Sequence, residues 1–112
     1  MLDAMMMTRI KVVLPNKARK DILEALCRFK NLAEISSGCI RSYITRDVNR
    51  RNAIIYWEEW QTREDMEKHI SSPNYRQLLE IIELSAQKPD INFLTVTKIE
   101  ALEVIETVRI SR

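Results

Sequence analysis

Apolar residues in this chain change their spacing in a fixed order, and that order limits the fold more than any other feature. Ile10, Val12 and Leu14 alternate with Arg9, Lys11 and Val13, the two-residue period of a strand. After Pro15-Asn16 the period lengthens. Ile22, Leu26, Phe29 and Ala33 recur at helical spacing over residues 17–34, widened by Leu23 and Leu32, while Lys17, Lys20, Glu24, Arg28 and Asn31 take the opposite face. Asn16 suits the N-cap of this helix, and Cys27 reads as a small apolar filler at the edge of its stripe. Ser36-Ser37-Gly38 stops it, with the chain's one glycine where a turn needs a permissive backbone. Residues 39–46 and 53–60 return to extended patterns, joined by a polar hairpin loop over 47–52.

A second helical region begins at Thr62, with Asp65 in the position of a capping-box partner. It is interrupted at Ser72-Pro73, a pairing of N-cap and first helical residue that opens a further helix. Tyr75, Leu78, Leu79 and Ile82 form the expected buried stripe of that helix. Lys88-Pro89-Asp90 breaks the chain again, and residues 91–99 read as a fourth strand. Val104, Ile105, Thr107, Val108 and Ile110 favour an extended C-terminal arm over residues 101–112. The methionine-rich residues 1–7 read as a frayed leader, which leaves 8–100 as the domain. The expected fold class is α+β, a ferredoxin-like βαββαβ arrangement with an antiparallel sheet and helices on one face. Helices cover only one side of such a sheet. Ile55, Trp57, Leu94 and Val96 then lie on an open face, which predicts a homodimer through the sheet face, a dimeric α/β barrel.

Composition narrows the function classes. Eighteen basic and sixteen acidic side chains give a formal charge of +2, too balanced for nucleic-acid binding. No apolar run approaches the ~20 residues of a membrane span. The first residues lack the basic region and apolar stretch of a secretion signal. Cys27 and Cys39 form neither a disulfide framework nor a zinc-type spacing, which fits a reducing cytoplasm. No metal-ligand constellation and no Gly-rich phosphate loop is present.

Chemistry concentrates in Tyr56-Trp57-Glu58-Glu59-Trp60 and the helix after it. Alternation places Tyr56, Glu58 and Trp60 on one face and turns Trp57 to the other. His69 is the only histidine, and its ordinary pKa lies near neutrality. It is the candidate general base, with Glu58 behind it to orient the ring; Trp60, Tyr75 and Tyr56 are candidate substrate-binding walls. Each also has a structural use: histidine closing a helix end, glutamate pairing with a buried donor, aromatics packing the core.

On Gly38-Cys39, Trp57-Glu58-Glu59-Trp60 and Asp65-Met66-Glu67-Lys68-His69-Ile70-Ser71-Ser72-Pro73, the chain resembles the antibiotic biosynthesis monooxygenase (ABM) family of dimeric α/β barrels over roughly residues 8–100. The resemblance implies a dimer with a cleft between helices and sheet in each subunit. It also implies oxidation of a small phenol or quinol by O2 with no metal or organic cofactor. Glu58, Trp60 and His69 match the general family pattern. The histidine and asparagine positions of the haem-degrading branch fall near Leu79 and Ile10, so the likeness does not extend to haem degradation. The competing expectations are a non-catalytic small-molecule-binding or structural dimer, and an isomerase of a small carbonyl metabolite using His69 as base.

Overall fold

A computed structural model describes residues 4–111 of the chain. Its elements run β1 (Met5–Val13), α1 (Arg19–Glu34), β2 (Cys39–Arg46), β3 (Ala53–Trp60), α2 (Arg63–Ile70), α3 (Pro73–Ile82), β4 (Asp90–Val96) and α4 (Leu102–Ile110). The four strands form one antiparallel sheet in the order β2-β3-β1-β4. This is the expected βαββαβ fold, with the second helical region split at Ser72 and a helix added after β4.

Alternation decides which residues meet. On the helix-covered face β1 contributes Met6, Thr8, Ile10 and Val12, opposite Trp60, Glu58, Tyr56 and Ile54 of β3. These positions are buried, and the α1 stripe of Ile22, Ala25, Leu26 and Phe29 packs on them together with Tyr75, Leu78 and Ile82 of α3. Full burial of a side chain such as Leu26 is worth about 1.5–3 kcal/mol. A smaller cluster of Met6, Ala33, Trp60 and Met66 seals the end of the sheet beneath α2.

Several expectations need correction. Of the supposed 1–7 leader, Met5, Met6 and Met7 belong to β1, Met5 pairing with β4 and Met6 and Met7 with both β3 and β4, while residues 1–3 lie outside the described part. Methionine carries no polar alternation, so the pattern there is silent although the sheet uses these residues. The α1 N-cap is Ala18 in a left-handed conformation (φ 62°), not Asn16, and no side chain caps it. Cys27 is exposed, outside the stripe, and so is Leu79 on α3. β4 ends at Val96, short of Ile99. The 101–112 arm contains a helix instead of an extended strand: Val104, Ile105 and Val108 recur at helical spacing, and no sheet edge pairs with them. No helix among the described residues is long and apolar enough to cross a membrane.

Candidate functional site

Glu58 is fully buried in the sheet, where an unpartnered carboxylate would be costly. It meets three donors. Tyr56 donates its hydroxyl to Oε2 at 2.7 Å, Trp60 donates Nε1 to Oε1 at 3.3 Å, and His69 Nε2 lies 3.1 Å from Oε2. Tyr56 and Trp60 reach Glu58 because residues two apart on a strand share a face.

His69 comes from the last turn of α2. Thr62 caps that helix, accepting from the Asp65 amide at 3.1 Å while its hydroxyl donates to the Asp65 carboxylate at 2.9 Å. Ser72 then joins the two helices. Its hydroxyl donates to the His69 carbonyl at 2.7 Å and accepts from the Tyr75 amide at 3.4 Å, with Pro73 supplying the first helical residue of α3. The imidazole is thereby set against two rings, Trp60 at 4.7 Å and, edge-on, Tyr75 at 5.4 Å between centroids.

All five sequence-predicted residues, Tyr56, Glu58, Trp60, His69 and Tyr75, converge on one cluster. They also fill the space between helices and sheet: Tyr56 and Trp60 are 0% exposed and Tyr75 is 3% exposed. What remains open is a shallow mouth of about 200 Å³ lined by Leu32, Ser36, Trp60, Lys68, His69 and Asn74, among others. Behind it lies an apolar void of only about 10 Å³, between Phe29, Leu32, His69 and Tyr75. A larger open groove of about 660 Å³ runs along the outer side of α2 and α3 near Ile70, Pro73 and Arg76, and none of the five residues lines it.

With Nε2 directed at Glu58, the carboxylate favours the tautomer that carries its proton there. Nδ1 is then left with the free lone pair. Burial, and next the nearby charge of Glu58, push the Tyr56 phenol far above its ordinary pKa; Tyr75 is raised by the same two causes. Both phenols are neutral at neutral pH, and Tyr56 is the one that donates to Glu58. Cys39, at the edge of the cluster, has its thiol raised to about 11, chiefly by burial and then by Glu58, so it is not a nucleophile at neutral pH.

Thr8 was not singled out from the sequence. It sits directly across from Glu58 in the β1–β3 register, is fully buried, and its Oγ1 has no hydrogen-bond partner among the described residues. The signal was a polar residue on the apolar side of an alternating strand, beside a glutamate on the neighbouring one. No group of three or more His, Cys, Asp or Glu side chains converges as a metal site among the described residues.

Residues 5–80 match the family model described as antibiotic biosynthesis monooxygenase. No curated protein matches the chain. Among solved structures, a conserved Bacteroides thetaiotaomicron protein of unknown function, described as a possible oxidoreductase, superposes with a TM-score of 0.74 at 20% identity, over 83% of this chain and 98% of that one. A conserved protein from Methanosarcina mazei gives 0.74 at 14% identity, over 81% and 91% of the two chains. A Nitrosomonas europaea protein provisionally named an antibiotic biosynthesis monooxygenase gives 0.75 at 14% identity, over 90% and 98%. At these identities the likeness is one of fold.

Proposed function

Because the chain belongs to the antibiotic biosynthesis monooxygenase family, we propose that it oxidises a small phenol or quinol with O2, without a metal or organic cofactor, using His69 as base. The observation that carries this reading is the His69–Glu58 pair at 3.1 Å, whose carboxylate holds the ring from behind at the edge of the open mouth. His69 takes the phenolic proton, and Glu58 stabilises the imidazolium that forms. The phenolate gives one electron to O2, and the resulting phenoxyl radical and superoxide join in a C–O bond. The imidazolium protonates the outer oxygen. Removal of the ring C–H proton then expels that oxygen as water and leaves the quinone. One oxygen atom ends in the product and one in water, and the substrate supplies every electron. Trp60 and Tyr75 shape the ring's berth; Tyr56 holds Glu58 in place.

Oxygen uptake over a panel of phenols and hydroquinones tests this directly. His69→Ala is expected to lower the rate by a factor on the order of 10² to 10⁴, the usual worth of a positioned base. Uptake that ignores the substitution, or none with any compound, removes the reading. The filled interior favours one second reading, a dimer that binds a small molecule without transforming it. Saturable perturbation of the His69 imidazole resonances without oxygen uptake would select it. An isomerase would instead exchange substrate protons with solvent deuterium and consume no oxygen.

The sheet's uncovered face supports a homodimer. Arg41, Tyr43, Trp57 and Arg9 stack in sequence across three strands at 4.7, 5.7 and 5.9 Å. Glu59 accepts from Arg41 and Tyr43 beside them, at 2.8 and 2.9 Å. A rigid aromatic and arginine-rich face of this kind suits a protein interface. Two free cysteines suit action in the cytoplasm.

A further inference from the structure

We propose that α4 is an exchanged arm that docks on the outer strand β4 of a second copy of this chain. The inference rests on the sheet-face dimer above and supplies the element that completes it. α4 makes no substantial contact with any other element, and none of its residues is buried. The radius of gyration is 16.4 Å, against about 13 Å for a compact chain of this length. A detached helix of nine residues is not self-supporting, since isolated helices shorter than about 12–15 residues are marginal in water. This one is worse placed than most, because Val104, Ile105, Thr107, Val108 and Ile110 are β-branched. It needs a surface to lie on. Val104, Ile105 and Val108, 38%, 57% and 45% exposed, provide the apolar side that would lie there.

The same chain carries an uncovered apolar site. On β4 the register sends Ile91 and Phe93 to the helix-covered side of the sheet, yet no helix packs closely along β4, and they are 38% and 49% exposed. Residues 97–101 link β4 to α4 and span at most about 17 Å, enough to pass beyond the sheet edge. Area points to a second copy as the partner. Four strands of this length make a face of roughly 25 by 19 Å, so two stacked sheets cover about 1,000 Å² in total, at the bottom of the range for biological interfaces. Permanent homodimers cover about 2,000 Å² or more. Two exchanged helices, each on the partner's β4, extend the contact in the symmetric manner a two-fold axis requires.

The test uses the full chain. Ile105→Asp and Phe93→Asp alter exposed positions, Phe93 standing one strand beyond Thr8 from Glu58 and Ile105 lying outside the sheet. Sedimentation equilibrium should show the dimer dissociation constant raised about 100-fold by either one, as expected for an uncompensated charge in an apolar contact, and the double variant no worse than the weaker single. In a second arm, Ile105→benzoylphenylalanine is irradiated in an equal mixture of chains carrying light and heavy nitrogen. Mixed-isotope cross-links to residues 91–96 are the expected result. A wild-type dimer that both aspartate variants leave unchanged, or cross-links confined to one chain, overturns the exchanged arm while the sheet-face dimer stands. A wild-type monomer at micromolar concentration overturns both.

Discussion

Glu58 sets the energetics of the site at the scale of single residues. It accepts from Tyr56 and Trp60 and pairs with His69, so the buried polar atoms on its helix-covered side largely satisfy one another. The neutral phenols next to it make the fold sensitive to alkali. The folded-state pKa values of Tyr56 and Tyr75 lie above the unfolded value, so their stabilising effect is complete below about pH 10 and declines as pH rises beyond it. Each contributes a fall of about 1.4 kcal/mol per pH unit in that window. Denaturant midpoints between pH 9 and 11, wild type against Tyr56→Phe, should show a flatter decline in the variant; identical slopes would remove this account. The five site residues were legible in the sequence because strand alternation and one capped helix suffice to aim them. Thr8 left only the faint mark of a polar residue on the apolar side of a strand, because its isolation depends on which neighbours the fold brings near.

Two left-handed positions bracket α1 at the scale of elements, and they should respond oppositely to mutation. Gly38 has φ +82°, and a Cβ there would stand 2.1 Å from Asp65 Oδ2, the carboxylate that accepts from the Thr62 cap. Gly38→Ala should therefore cost more than the roughly 1–2 kcal/mol of the left-handed conformation alone. Ala18, exposed at φ 62°, bears that strain already, and Ala18→Gly should stabilise by up to about 1 kcal/mol. Thermal or denaturant unfolding of both variants checks the pair of signs. The glycine was readable because only one exists and a turn was due there. Ala18 was missed because asparagine two residues earlier offered a better cap than the chain uses. α4 was misread for a related reason: its β-branched residues argue for a strand, while its helical spacing of Val104, Ile105 and Val108 argues for what forms.

The whole molecule has two unlike faces. The helix-covered side is packed and apolar, whereas the other carries the Arg41–Tyr43–Trp57–Arg9 stack, with Trp57 Nε1 donating to Thr45 at 2.8 Å. If that stack meets its own copy, Trp57→Ala should weaken the dimer by about 2 kcal/mol or more, roughly thirty-fold in Kd, as interface tryptophans do. Light scattering over a dilution series reads this, and an unchanged mass profile would exclude the face. The sequence revealed the open face through alternation but could not reveal how polar it is, because Arg9, Arg41 and Glu59 acquire their partners only across strands. The Ser72 junction has a mechanical consequence for the opposite side. Glu58, Trp60 and Tyr56 are held between neighbouring strands, whereas Tyr75 is carried by α3, which joins α2 through the Ser72 hydroxyl and amide on the His69 carbonyl and packs its buried side on the core. The space around His69 therefore has a floor of paired strands and a roof of packed helix side chains. A guest molecule larger than the open mouth must therefore displace Tyr75 on the helix side, since Glu58 beneath is fixed between strands.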